Sequence, residues 1–312
     1  MALDFPSAPT DGQIYDRYVW NNTLGVWSLL SDTTVFGLAS NTPTGSYTDG
    51  ADYEYVSFTS SGTLTVTRGG FFDFLLVGGG GSGGHGQGGG GGAGGHLYFE
   101  NAYLPAGSLT VTVGAGGLGY RQTSSSLGDA GYNGRGGGAS KLHNYFVPGG
   151  GGGSAFTARP NIANNYAGNV GQAGGSGGGA GGTNYAVTVV AGLGGSGTPG
   201  IGNDGGSNGY IAGGGGGGAG AVGLASSVSQ TGGDGGAGLA NSITGTSVTR
   251  AGGGGANGNT TSGSGGTGGG GNGGSPGSAG TANTGSGGGG SYTSSGAGGD
   301  GGSGIVIVRW RA

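Results

Sequence analysis

Apolar residues in this chain gather in short β-type segments toward its two ends, and between them hydrophobicity gives way to glycine. Gln13 to Trp20 and Val26 to Leu30, separated by the turn residues Asn21 to Gly25, predict two strands of a small N-terminal module. Two strands alone are marginal, so the module is expected to pack on something, with Trp20 and Trp27 as its core rather than a sugar-stacking surface. Ser31 to Asp52, a Thr, Ser, Asn and Pro stretch, reads as a linker or irregular loop. Tyr53 to Thr59, Thr63 to Arg68, Phe71 to Val77, His96 to Tyr103 and Ser108 to Val113 follow as strands, and Ile305 to Trp310 is the last. Alternation is weak in Phe71 to Val77 and in Ile305 to Trp310, as in strands buried on both faces. These six strands predict one β-sandwich, with the glycine tract leaving it and returning to the same, proximal, side.

All but eight of the 97 glycines lie between Gly78 and Gly304. A collagen triple helix is excluded, because these glycines come in blocks rather than at every third position and the chain has only 8 prolines. A flexible linker is the usual state of Gly-rich chain: ordering one backbone unit costs roughly 1 to 2 kcal/mol, whereas a net hydrogen bond returns about 0.5 to 1.5 kcal/mol. A lattice escapes this limit, since extended strands without Cβ atoms can bond to several neighbours at once. Interruptions such as Tyr120-Arg121, Lys141 to Phe146, Ala155 to Gly168 and Asn208 to Ile211 favour the lattice, with polar and aromatic loops between rods. Lys141 to Pro148 and Leu239 to Arg250 are among its turn and loop candidates.

The expected fold class is therefore mainly β, in three parts. Residues 1–45 form an N-terminal attachment or assembly module with linker. Residues 46–113 supply β-sandwich strands, completed by 304–312, and include a first glycine-rich excursion over 78–95. Residues 114–303 form a glycine-rich domain of packed polyglycine-II helices with presenting loops.

Charge adds exclusions. Only 7% of residues are charged, and nine Lys plus Arg with a formal net charge of −4 make no basic stripe, so no nucleic-acid partner is expected. Absence of cysteine removes disulfides and thiolate metal sites. The start, Met1 to Pro6, does not read as a signal peptide, and no run approaches a membrane span, so membrane insertion is not expected. This combination fits a virion component released by lysis.

Motif chemistry is sparse. G-x-G-x-x-G matches, such as Gly174 to Gly179, follow from composition and lack the helix and downstream acid of a dinucleotide site. Gly136 to Lys141 lacks the Gly-Lys-Ser/Thr order of a phosphate loop. Asp204, Asp234 and Asp300 sit singly among glycines without the repeat of a calcium-binding β-roll, and read as solvent-facing breaks against aggregation. His85, His96 and His143 are scattered, and Glu54 and Glu100 lie in predicted strands. No acid/base pair or nucleophile stands out, so no enzyme, cofactor or metal site is expected. If loops carry the function, the candidates are Tyr120, Arg121, Tyr132, Phe156, Arg159, Tyr166 and Tyr210, with Trp20 and Trp27 as assembly candidates.

Phe74 to Gly81, Gly94 to Glu100 and Leu109 to Gly117, with the closing Gly301 to Trp310, resemble the glycine-rich domain of bacteriophage tail fibres and adhesins. Leu3 to Tyr15, with Trp20 and Trp27, is similar to a short module recurrent in phage structural proteins. The resemblance implies a virion protein, on an extracellular phage particle, whose polyglycine-II platform presents loops to the host surface. Its implied partners are a bacterial surface glycan or outer-membrane protein, other virion proteins and a possible homo-oligomer such as a trimer. The alternative is a structural fibre, decoration or spacer protein that binds no receptor; an ice-binding or matrix role would need flat, Thr-rich faces that the sequence does not offer.

Overall fold

The computed structural model describes residues 8–10, 14–15, 18–21, 23, 25–29, 36–120, 133–156, 170–183, 192–209, 211–227, 230–292 and 296–312. Among them there is no helix, and the architecture is all β with extended glycine runs. The described residues form fifteen strands: β1 (Ile14–Tyr15), β2 (Tyr18–Asn21), β3 (Val26–Leu29), β4 (Leu38–Ala39), β5 (Gly45–Thr48), β6 (Asp52–Phe58), β7 (Gly62–Arg68), β8 (Gly70–Val77), β9 (His96–Leu104), β10 (Gly107–Thr112), β11 (Ser140–Leu142), β12 (Tyr145–Val147), β13 (Leu239–Asn241), β14 (Val248–Arg250) and β15 (Ile305–Arg311).

The N-terminal module is an antiparallel meander in the order β1-β2-β3, one strand more than the pattern predicts. Its register sets Trp20 opposite Trp27, with ring centroids 5.6 Å apart.

All six strands expected of the sandwich form, within two five-stranded antiparallel sheets of order β12-β11-β10-β7-β4 and β5-β6-β15-β8-β9. In β7 and β10 the alternation places Leu64, Val66, Leu109 and Val111 inward and threonines outward. These side chains meet Phe72, Phe74, Leu76, Val306, Val308 and Trp310 of the other sheet in one buried cluster. Phe74, Phe99 and Tyr145 pack ring on ring across it at 4.7 to 5.0 Å. Six strands arise where the sequence reads as loop or linker. β4 pairs with β7 and β5 with β6, drawing part of Ser31 to Asp52 into the sheets. β11 and β12 extend the first sheet, and β13 and β14 pair as a separate hairpin. Strands of two to four residues carry too little pattern to be read locally, and partners fix them.

β8 and β15 are buried on both faces, as their weak alternation predicts. Their even positions enter the cluster between the sheets. Leu75, Val77, Ile305 and Ile307 face the other way, onto Ala93, Ala251 and Ile243 of the glycine tract. The central sheet is thus the layer on which the tract is built.

From that layer the chain runs out and back repeatedly. In the first run, Gly78, Gly81 and Gly84 donate their N–H groups to Gly95, Gly92 and Gly89 at 2.9 Å. Gly79 and Ser82 donate to Gly138 and Arg135, and Gly80 and Gly83 to Gly302 and Gly299. Gly79 and Ser82 accept from Gly150 and Gly153, Gly81 and Gly84 from Gly288 and Ser291, and Gly80 from Gly117. Each neighbour recurs at every third residue, and the run is bonded to six others around it. The return run keeps the period: Gly88, Gly91 and Gly94 donate to Ser291, Gly288 and Gly285. Such packing leaves no room for a side chain. A Cβ at Gly91 would lie 2.1 Å from the carbonyl oxygen of Gly81, and one at Gly80 2.0 Å from that of Ser286.

At its periphery the lattice has N–H groups without a further run to receive them, and short polar side chains take that place. Asp204 Oδ1 accepts from Gly197 N–H at 2.7 Å, Asp234 Oδ1 from Ser264 N–H at 2.6 Å and Asp300 Oδ1 from Gly119 N–H at 2.6 Å. Asn272 does the same for Gly265, and inside the lattice the buried Asn208 does so for Gly192. The aspartates read as breaks against aggregation therefore also satisfy backbone donors.

Gly91→Ala is expected to lower stability in urea unfolding by about 2 kcal/mol or more, because backbone must move to admit the methyl group. Gly62→Ala, whose Cβ would meet nothing closer than Phe58 at 3.6 Å, is expected to stay within about 0.5 kcal/mol of the parent. A second expectation concerns His96, which opens β9 and is buried. Burial, then the charge of Arg250, lowers its pKa from 6.5 to about 4. Between those values the unfolded chain binds the proton and the folded one does not. The contribution is full above pH 6.5 and declines as pH falls toward 4, by up to about 3 kcal/mol. In urea titrations at low ionic strength, His96→Gln should flatten the stability slope between pH 6.5 and 5.

Candidate functional site

The alternating direction of the glycine runs sorts the tract into two ends. At one end the runs join the central sheet through Val77 to Gly78, Gly95 to His96 and Gly304 to Ile305. At the other they turn. Phe156 N–H donates to the carbonyls of His85 and Gly86, both at 3.1 Å, so the turn of the first run meets the end of the run from 149 to 156. Gln87 N–H donates to Tyr292 C=O, and Gly182 N–H to Gln87 C=O. Asn257 N–H donates to Gly88 C=O, and Gly213 N–H to Asn257 C=O. Six separate segments are therefore stitched together at this distal end.

Side chains there form a hydrogen-bonded chain across three turns. Tyr292 Oη donates to Asn259 Oδ1, and Asn259 Nδ2 donates to Gln230 Oε1 at 2.6 Å. Gln87 and Gln230 hold positive φ of 45° and 67°, a conformation uncommon for residues other than glycine and concentrated at functional turns. Tyr292 and Asn259 are exposed and Gln230 is half-buried. The sequence offered no cue for this chain, since its members lie 29 and 33 positions apart in turns of unrelated length.

Of the seven loop candidates, two are described. Phe156 is half-buried at the distal end, as above, and Tyr120 is half-buried one residue beyond Gly119, whose N–H is held by Asp300. Arg121, Tyr132, Arg159, Tyr166 and Tyr210 lie outside the described residues. Their described flanks do not: Tyr120 and Asn133, Phe156 and Val170, and Gly209 and Ile211 end or begin runs at the distal end. Asn133 Oδ1 accepts from Ala155 N–H at 2.9 Å, tying the roots of two of these segments to each other. Trp20 and Trp27 stand apart from them, in the N-terminal meander.

A second polar feature lies on the central sheet, a cleft of about 100 Å³ lined by Tyr53, Asp73, Glu100, Arg309 and Arg311 among others. Two of its charges, those of Arg309 and Asp73, satisfy each other. Arg309 pairs with Asp73, donates to Tyr47 Oη and to Tyr98 Oη, the latter at 3.1 Å, and stacks 4.5 Å over the Tyr53 ring. Burial works against its charge, but the bonds to Asp73 and Tyr47 outweigh it and hold the guanidinium above its ordinary pKa. Burial first, and Asp73 next, push Tyr98 up to about 12. Tyr47 also donates to Ile243 C=O at 3.3 Å, so the cluster fastens the β13-β14 hairpin to the sheet. This feature reads as a structural clamp, and the distal end remains the candidate site.

A family model described as a glycine-rich domain matches residues 58–311. The chain belongs to this glycine-rich domain family. The match takes in both sheets from the end of β6 onward and every glycine run, so the glycine-rich domain here is sheet and lattice together. No curated protein matches the chain.

Asp300→Ala should raise the amide exchange rate of Gly119 about fivefold or more, since the variant forfeits one charge-assisted hydrogen bond of about 1 to 2 kcal/mol at the root of the 121–132 segment. Amide exchange read by NMR checks this, and Asp300→Asn, which keeps an acceptor oxygen, should recover most of the protection.

Proposed function

We propose that this glycine-rich domain protein is a bacteriophage virion adhesin, carried on a fibre, that presents loops to a glycan or outer-membrane protein of the bacterial host. The observation that carries the reading is the gathering of run ends at one pole. The described flanks of residues 121–132 and 157–169, Tyr120 with Asn133 and Phe156 with Val170, lie there, at the end opposite the sheets, on a base whose backbone is bonded in every direction. A rigid base lowers the ordering cost that loops otherwise bear on binding. The glycine runs are proposed to be polyglycine-II helices, a reading supported by the recurrence of each bonded neighbour every third residue, the pitch of a threefold extended helix. The N-terminal meander then serves attachment to other virion proteins, with Trp20 and Trp27 as its contact or core.

A structural fibre or spacer is the second reading. It is favoured by the Tyr292, Asn259 and Gln230 chain, whose polar groups bond to one another.

Replacing residues 121–132 and 157–169 by Gly/Ser segments of equal length separates the two. The adhesin reading expects at least a tenfold loss of binding to bacterial strains that capture the parent protein, at an unchanged melting temperature. Undiminished capture would leave the structural reading, under which particles lacking the protein still adsorb and deletion of residues 1–45 abolishes incorporation.

A further inference from the structure

Where the lattice meets the central sheet, two side chains able to carry positive charge are buried without a counter-ion among the described residues. Arg250, the last residue of β14, is 8% exposed, and His96, the first of β9, is 4% exposed. Nη1 of Arg250 and both ring nitrogens of His96 are out of solvent and have no hydrogen-bond partner among the described residues. The ion pair found among those residues is that of Arg309 with Asp73, elsewhere on the sheet. Backbone bonds bring the two segments together. Ala93 N–H donates to Gly217 C=O and Ala219 N–H to Ala251 C=O, each at 2.9 Å, so residues 217–219 bridge the approach to His96 and the residue after Arg250. The field of Arg250 is felt at His96, where it helps to disfavour protonation.

A guanidinium does not shed its proton to escape burial, so its charge has to be matched. Buried charges are paired in folded proteins, and a lone one is among the most unfavourable groups a core can hold. Water would fill hydrogen bonds here but would leave the charge unmatched. The backbone segments that approach the two residues carry small apolar side chains, Ala93, Ala219 and Ala251, which pack on the sheet residues Leu75, Val77, Ile305 and Ile307. They suit an anion of single charge and weak hydration better than a multiply charged oxyanion.

We propose that Arg250 and His96 together form a binding site for a small monovalent anion of the halide class, which neutralises the junction between lattice and sheet. The anion accepts hydrogen bonds from Arg250 Nη1 and one ring nitrogen of His96, and through them ties the β13-β14 hairpin to the start of β9.

The test compares thermal unfolding of the full chain in sodium chloride and in sodium gluconate at equal ionic strength, together with anomalous diffraction from crystals soaked in sodium bromide. Chloride is expected to raise the melting temperature of the parent by about 2 to 5 °C over gluconate, saturating with concentration. Arg250→Met should remove the difference, and His96→Phe should weaken it. Bromide density is expected within hydrogen-bond reach of Arg250 Nη1 and His96. Equal melting temperatures in the two salts would overturn the proposal. If Arg250→Met fails to fold, the bromide map decides alone, and no peak beside Arg250 overturns it whatever the melting curves give.

Discussion

Backbone packed directly on backbone, with no Cβ between, is the condition on which the rest of this protein rests. One extended glycine run cannot order itself, because each residue gives up about 1 to 2 kcal/mol of backbone freedom for hydrogen bonds worth less than that singly. Here the N–H of one residue and the carbonyl of the same residue go to different runs, and each bonded neighbour recurs at every third residue. Gly78 to Gly84 is therefore held from six sides, and its ordering is shared with every neighbour it helps to order. Carbonyl oxygens about 2 Å from the positions of absent Cβ atoms show how little tolerance this arrangement has. Order in such a tract is cooperative, since no run has partners until the others are in place.

A lattice also has to begin somewhere and to stop. It begins on β8 and β15, whose second apolar face gives the glycine runs a hydrophobic floor at Leu75, Val77, Ile305 and Ile307. That floor needs its own support, which comes from the aromatic and aliphatic cluster behind it. Outward, the lattice stops where Asp204, Asp234, Asp300 and Asn272 accept the N–H groups that a further run would have taken. A peripheral run with open donors invites pairing with a second chain, as an exposed sheet edge does. Placing carboxylates there both fills the donors and adds repulsion between copies.

Much of this plan was legible in the sequence. The six long strands and the two-faced burial of β8 and β15 could be read because apolar residues without alternation mean one thing in a strand bounded by turns. β4, β5 and β11 to β14 could not, since Leu38-Ala39 or Ser140-Lys141-Leu142 has no pattern until Arg68, Val66 or Val111 lies opposite. The role of the aspartates was half legible: their isolation among glycines was visible, but the donors they meet are 7, 30 and 181 positions away. Tyr292, Asn259 and Gln230 were hidden for the same reason, as only the folding of unequal turns onto one pole brings them together.

The two poles divide the work between hydrophobicity and hydrogen bonding. At the sheet end the apolar clusters are large and mutations are felt as lost volume; at the distal end nearly all order comes from backbone bonds, with Phe156, Gln87 and Gly182 joined through their main chains. Exposed side chains at that pole, Tyr292 and Asn259 among them, are consequently released from core duty. Glutamine can occupy positive φ at residues 87 and 230 because the lattice below fixes the backbone there. Sequence at the tips can then vary without touching the scaffold, provided each run keeps its glycines. A scaffold whose specificity lies in the main chain and whose surface lies in its turns is well suited to a protein that must change what it contacts while keeping its shape.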